Sequence, residues 1–209
     1  NFKFGKKDGH WNEWHKNGEM KFQGNFKSGK REGLWTGWYE NGQKDSEGKF
    51  KGDQKDGWWA EWSASGQKLM EGNFKADKKD GLWTYWHHNG RKHSEEIFRG
   101  GKLYGLSKGW DEEGRKETES NWKDGKIDGL VTRWYENGQK KGEATFRAGK
   151  LYSVVVWKPN GKKCIVSNIE NGTGIWVVYD EKGTEESRRY YLNGKKVSFR
   201  LHFSNEKEQ

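Results

Sequence analysis

Apolar and polar positions along this chain recur on a fixed 24-residue step. Phe2, Phe26, Phe50, Phe74, Phe98, Trp122 and Phe146 form one column, and Trp14, Trp38, Trp62, Trp86, Trp110 and Trp134 form another. Glycines keep the same step, from Gly9 to Gly129 and from Gly18 to Gly138. A second tryptophan column, Trp11, Trp35, Trp59 and Trp83, lapses to Ser107 and Val131. Columns that share one register define a tandem array. Two turn signals divide each unit. One is Asn-Gly, at Asn17-Gly18, Asn41-Gly42, Asn89-Gly90 and Asn137-Gly138, a strong hairpin signal when both residues take positive φ. The other is Ser28-Gly29, Gly100-Gly101, Asp124-Gly125 or Ala148-Gly149, each followed by Lys. The segments between turns are too short and too glycine-rich for helices. The pattern predicts an all-β chain of tandem 24-residue β-hairpins, forming an elongated, twisted, single-layer antiparallel meander.

If both turns have two-residue loops, pairing follows by arithmetic. Around Asn41-Gly42, Tyr39 faces Lys44, Gly37 faces Ser46, Trp35 faces Gly48 and Gly33 faces Phe50. Around Ser28-Gly29, Phe22 faces Trp35 and Gly24 faces Gly33. One face then carries the Trp35 and Phe50 columns, interleaved with glycines over which rings can lie. The other carries the Trp38 and Leu34 columns and a row of acids, Glu47, Glu71, Glu95, Glu119 and Glu143. At ~4.8 Å per strand the sheet would run on the order of 70 Å, coiled by twist into a curved ribbon.

The array loosens after Lys150. Trp157 and Gly161 arrive one residue early, and Gly174, Trp176, Tyr179 and Gly183 mark a degenerate eighth unit. The reading is therefore of regular repeats over 1–150. Degenerate repeats and a C-terminal cap follow over 151–209, continuous with the same sheet, with a last strand over 197–203. Terminal repeats must cap a stack. The front shows no cap, since residue 2 already sits in the Phe column, so further repeats are expected before it.

Composition agrees once the repeat is recognised. Only 30% of the 209 residues are hydrophobic against 34% charged, and mean hydropathy is −1.32, yet there are 14 Trp, 10 Phe and 30 Gly with one Pro. Disordered chains are poor in aromatics, so these numbers describe a thin folded structure of large rings packed on glycine. A single cysteine, Cys164, cannot form an intramolecular disulfide or a four-ligand zinc site. It is expected as a small buried residue in an apolar strand. The formal charge of +9 favours anionic partners without choosing among them.

Gly-x-Trp-x-x-Trp-Tyr-Glu-Asn-Gly-Gln-Lys at Gly33 to Lys44, nearly repeated at Gly129 to Lys140, alternates with Gly-x-Phe-x-x-Gly, as at Gly24 to Gly29. These residues resemble the MORN-repeat variant of bacterial proteins, strongly over 1–150 and weakly over 151–203. The resemblance implies a hairpin-array scaffold without enzymatic activity. It also implies the company of antitoxins and immunity proteins, placing the chain in a bacterial cytoplasm or cell envelope. In the parent family it implies contact with proteins or lipids.

Uniform columns read as architecture, because a single-layer sheet needs cross-strand aromatic ladders to stay folded. A site for a unique partner should break the repeat. Two columns vary: Glu13, Gly37, Glu61, Tyr85, Gly109, Arg133, and His15, Tyr39, Ser63, His87, Asp111, Tyr135. Tyr104 and Tyr152 replace the acid found at Asp8, Glu32, Asp56, Asp80 and Asp128. The candidate partner-binding residues are accordingly Tyr39, Tyr85, His87, Tyr104, Arg133, Tyr135 and Tyr152, Tyr and Arg being common anchors.

Metal, cofactor and catalytic chemistry find little support. The turn acids stand singly along the ribbon, whereas calcium needs six to eight converging oxygens, so they read as turn stabilisers. His87, His88 and His93 resemble a cluster, but the pairing sets Trp86 opposite His93 and points His87 and His88 to opposite faces. No nucleophile–base pair or phosphate loop is legible. Catalytic residues, metal ligands and cofactors are expected to be none. Lysine columns, Lys44 to Lys163 and Lys6 to Lys150, serve as solvated edges against aggregation or as contacts to an anionic surface. The expected partner is another protein, a toxin domain by the resemblance. An anionic lipid or envelope polymer is the alternative, a structural segment of a larger surface protein a third, and nucleic acid is disfavoured.

Overall fold

The computed structural model describes residues 2–197. It divides into two compact units, Asn1–Ile127 and Asp128–Gln209. The first is built wholly of strands. A small hairpin, β1 (Phe2–Lys3) and β2 (Lys6–Lys7), precedes β3 (Gly9–Trp14), β4 (Met20–Lys27), β5 (Lys30–Trp38), β6 (Lys44–Lys51) and β7 (Gln54–Trp62). Then come β8 (Lys68–Lys75), β9 (Lys78–Trp86), β10 (Lys92–Arg99), the two-residue β11 (Lys102–Leu103), β12 (Gly105–Trp110) and β13 (Lys116–Lys123). From β3 to β10 each strand pairs antiparallel with the next; β10 then pairs with both β11 and β12, and β12 with β13. This is the expected all-β meander of hairpins.

Turn chemistry differs from the two-residue expectation in an instructive way. At Asn41-Gly42 the N–H of Tyr39 donates to the carbonyl of Gln43 (2.9 Å) and that of Gly42 to the carbonyl of Tyr39 (3.0 Å). The loop is thus three residues, Glu40-Asn41-Gly42, with Gly42 alone at positive φ (79°). This is a type I turn closed by a left-handed glycine. Asn41 acts through its side chain, accepting from the N–H of Gln43 (3.1 Å) and donating to the carbonyl of Ala64 in the next unit (2.7 Å). Trp38, not Tyr39, faces Lys44, and a bulge between Gly37 and Trp38 restores the expected register from Gly37–Ser46 onward.

The left-handed pair sits at the other turn. Ser28 (φ 53°) and Gly29 (φ 86°) are both left-handed, so this is the type I′ turn. Beyond it a wide irregularity moves the register by two. Phe22 faces Gly37 rather than Trp35, and Gly24 is not paired with Gly33. A slip of two preserves the face of every side chain, so the assignment of faces survives.

On the ring face, the indoles of Trp35, Trp59 and Trp83 lie flat on Gly24, Gly48 and Gly72 of the preceding strand. A Cβ added at any of these glycines would stand under 3.0 Å from the ring. The next two positions of the tryptophan column are Ser107 and Val131, and there the glycine column reads Glu96 and Ser120. Glycine is present where an indole covers it and absent where none does. Between the indoles stand Phe26, Phe50, Phe74 and Phe98, meeting them edge to face with centroids 4.9–6.5 Å apart. Trp83, Trp59, Phe50 and Trp35 form the buried cluster of this unit.

Polar side chains link successive units. Asp8, Glu32, Asp56 and Asp80 each accept the backbone N–H that opens the next unit's tight turn, at Ser28, Gly52, Ala76 and Gly100. They stabilise turns, as expected, but the turn of the following repeat. On the opposite face, Lys44–Glu47 (2.5 Å), Lys68–Glu71 (2.9 Å) and Lys116–Glu119 (2.8 Å), together with Lys92–Glu95, pair one lysine column with the acid row.

The second unit has its own core. β14 (Lys126–Trp134), β15 (Lys140–Arg147) and β16 (Lys150–Val156) pair in order, while β17 (Gly174–Tyr179), β18 (Glu185–Leu192) and β19 (Lys195–Val197) form a three-stranded sheet. Leu151, Val154, Val156, Ile169, Val177 and Tyr179 are buried together with Tyr135 and Ala144. Cys164 is buried with them but lies in an irregular segment, not in the expected strand. The early Gly161 closes the same kind of turn as Gly42, its N–H donating to the carbonyl of Lys158 (2.8 Å). Of the strand expected over 197–203, all but Val197 lies outside the described residues.

Gly72→Ala should cost about 2 kcal/mol, because the methyl must displace Trp83 or the backbone beneath it. Glu96→Ala, at the uncovered position of the same column, should cost under ~1 kcal/mol. Urea denaturation of the two variants checks the contrast, and equal losses would contradict the ring-on-glycine account.

Candidate functional site

The candidate partner residues fall at separate places. Tyr39 and His87 lie beside the three-residue turns, where Tyr39 Oη donates to the carbonyl of Trp62 (2.8 Å) and His87 Nε2 meets that of Trp110 (2.8 Å). His15 does the same to Trp38. This column ties one unit to the next. Tyr104 lies at the tight-turn edge with the Arg99 guanidinium 3.8 Å over its ring. In the second unit, Arg147 covers Tyr152 at 3.5 Å and Arg133 is exposed opposite Gly142. Tyr135 is 1% exposed, donating to the carbonyl of Trp157 (2.8 Å), and burial holds its phenol up at about 12. The rings of His87 and His93 do meet, edge to face at 4.6 Å, because the bulge beside Lys92 sets Trp86 opposite Lys92 instead of His93. Among the described residues no group of three His, Cys, Asp or Glu converges as metal ligands would.

Tyr85 belongs to a different setting. On the ring face of the first unit, register places Glu13, Phe22, Gly37, Ser46, Glu61, Met70, Tyr85 and Ser94 in one row across successive strands. The aromatic ladder beside this row repeats, while the row itself changes at every unit. At Tyr85 the ring leans on Trp83 (centroids 6.3 Å, 32°) and Lys79 Nζ donates to its hydroxyl (2.5 Å). At Glu61 the carboxylate accepts from Trp59 Nε1 (2.8 Å) and lies 3.8 Å from Lys55 Nζ. At Gly37 there is no side chain, and a cleft of about 240 Å³ opens between Phe22, Phe26, Trp35, Phe50 and Trp59, with Arg31 and Ser46 on its wall.

The cations of this face escaped the sequence reading. Lys7, Arg31, Lys55 and Lys79 keep the 24-residue step. They sit on rings: Lys7 4.0 Å from Trp11, Arg31 3.9 Å from Phe50, Lys55 3.6 Å from Trp59 and Lys79 4.4 Å from Trp83. Burial among the rings lowers the pKa of Lys55 and of Lys79, and raises that of the Tyr85 phenol. Their 24-residue spacing is as regular in the sequence as that of the aromatic columns. The face is thus an aromatic floor with a cation per unit. Such a surface binds flat apolar groups that carry a hydrogen-bond acceptor.

Glu96 completes the polar part. Burial raises its pKa above the ordinary 4.5, and the ammonium of Lys79 pulls it partly back. The folded state therefore holds this proton more tightly than the unfolded chain does. The stability it brings is whole below the ordinary carboxylate range and is lost as pH rises through the raised value.

The family model of the MORN repeat variant matches residues 7–28, 31–51 and 127–148. These segments start 24 and 96 residues apart, in phase with the columns. No curated protein matches the chain. Repeats of this family generally act as non-enzymatic scaffolds that bind proteins or membranes.

Two outcomes test the geometry. Tyr39→Phe should lose about 1 kcal/mol in urea denaturation, the value of one hydrogen bond between units, with no change in the tryptophan environment. Glu96→Gln should remove the loss of urea midpoint that this carboxyl brings as pH rises above the ordinary carboxylate range, and parallel curves for parent and variant would refute the assignment. The register, the hairpins and the three matched segments make this chain a repeat protein carrying MORN-variant repeats.

Proposed function

We propose that the chain is a non-enzymatic protein-binding scaffold of the antitoxin or immunity kind, holding a toxin domain against the ring face of its first unit. One observation carries the reading. The row Glu13–Phe22–Gly37–Ser46–Glu61–Met70–Tyr85 varies from unit to unit beside an invariant ladder, as a surface fitted to one partner would. Aromatic and arginine side chains on that face are the usual anchors of protein interfaces. Tyr85 belongs to this contact. Tyr104 and Tyr152 mark the tight-turn edges of their units, and Arg133 an exposed strand position.

A second reading rests on the distribution of charge. Residues 2–9, 26–33, 50–57, 74–81, 98–105 and 122–127, around the tight turns, hold fifteen Lys and Arg against seven Asp and Glu. The rest of the first unit holds ten against fourteen. Lys6, Lys30, Lys78 and Lys102 are exposed, their stems lying over Gly29, Gly52, Gly101 and Gly125 of the next turn. A basic edge of this kind suits an anionic lipid or envelope polymer.

Capture of a partner from the source cells by the immobilised chain, at ~150 and ~500 mM salt, separates the two. The scaffold reading expects a stoichiometric protein retained at both, lost with Ser46→Arg on the ring face and kept with Lys49→Glu on the opposite face. Retention by Ser46→Arg would sink it. Binding to anionic vesicles that collapses with salt would favour the basic edge.

A further inference from the structure

The cleft at Gly37 has an internal template 48 residues further along the chain. Arg31, Trp35, Gly37 and Ser46 correspond to Lys79, Trp83, Tyr85 and Ser94. The settings agree in detail. Trp35 Nε1 donates to the carbonyl of Asn25 (3.1 Å) and Trp83 Nε1 to that of Asn73 (3.0 Å). Both indoles lie on glycine, Gly24 and Gly72. Gly37 is paired with Phe22 and Ser46, as Tyr85 is with Met70 and Ser94. In the later unit the place beside the indole is filled by the chain's own phenol, whose hydroxyl accepts from Lys79. In the earlier unit it holds no side chain, and the cation is Arg31.

We propose that the Gly37 cleft is a receptor for one tyrosine side chain of the partner protein. The ring seats on Trp35 as Tyr85 seats on Trp83, and the hydroxyl accepts from the Arg31 guanidinium. The inference rests on the scaffold reading above and names the chemistry that the partner presents. Size supports it: about 240 Å³ is below the ~300 Å³ at which small-molecule sites begin and suits a single aromatic side chain. Charge supports it as well. Asp53 takes Arg31 Nε (3.2 Å) and its carbonyl takes one terminal nitrogen (3.2 Å). A guanidinium has five N–H donors, so these two bonds leave it donors to offer a phenol.

The test uses N-acetyl-tyrosinamide and N-acetyl-phenylalaninamide as probes against the whole chain, followed by the Trp35 indole N–H resonance, assigned with Trp35→Phe. The tyrosine probe should shift that resonance saturably, with a Kd on the order of millimolar for so small a ligand, and leave the Trp83 resonance in place. The phenylalanine probe should bind several-fold more weakly, and Arg31→Met should erase the difference. Gly37→Tyr should abolish the shift by supplying the ring from within. Ser46→Leu, on the other wall, is the second block should the first variant fold poorly. No saturable shift at Trp35, equal binding of both probes, or a shift that survives both blocks would overturn the proposal. Partner capture unaffected by Gly37→Tyr would also overturn it while leaving the scaffold reading intact. Probe binding beside a failure to capture any protein would count against the scaffold alone.

Discussion

The first unit depends on one contact repeated along it, an indole lying flat on a glycine of the preceding strand. Domains ordinarily bury one face of a sheet against a second layer. Among the described residues of the first unit no helix or second sheet covers this one, so cover comes from the strands themselves. A large ring reaching sideways over its neighbour provides it, provided that the neighbour has no side chain in the way. Each edge-to-face meeting of Trp with Phe adds roughly 0.5–1.5 kcal/mol beyond area, and the cations riding on the rings shield what remains exposed. The composition follows from this. Glycine and tryptophan are abundant because each indole needs its glycine, and charge is abundant because a layer with little interior leaves most positions wet.

The same contact explains where the repeat is free to change. Ser107 releases the glycine constraint, and Glu96 appears in the vacated position, carrying a half-buried carboxyl among Lys79 and His93. The row through Gly37, Glu61 and Tyr85 lies beside the indoles but is not covered by them, so it can vary without disturbing the stack. The repeated ladder and the variable row stand two strand positions apart on the same face. A repeat protein can thus diversify its surface while its architecture stays periodic.

Much of this was legible in the residues. The 24-residue step, the hairpin meander, the two faces and the rings over glycine all follow from spacing. Turn geometry did not. Asn-Gly reads as a pair of left-handed residues, but here Asn41 spends its side chain on the next unit's backbone, and only Gly42 is left-handed. The left-handed pair is carried by Ser28-Gly29. Pairing beyond that turn was off by two because Gly33 enters a bulge that no composition rule announces. The variable column of Tyr39, His87 and Tyr135 reads as a recognition surface because its residue types differ, and in the structure the same side chains also hydrogen-bond to the backbone one repeat further on. A histidine, a tyrosine and an aspartate can all serve a neighbouring backbone, and periodicity alone does not tell such a tie from a binding group. The cation column and the gap at Gly37 were present in the register but were hidden among forty basic residues and thirty glycines.

The stacked tight turns carry a consequence for the motions of the molecule. The N–H groups of Gly29, Asp53, Asp77, Gly101 and Gly125 donate to the carbonyls of Lys7, Arg31, Lys55, Lys79 and Leu103, each 22 residues earlier. Loop tips are ordinarily the first places where a fold opens to solvent and the first to be cut by proteases. Here they form a hydrogen-bonded column of their own along the edge of the sheet. Each tip is thereby tied to the turn before it, so that opening one tip to the medium means breaking the bond that holds it to its neighbour.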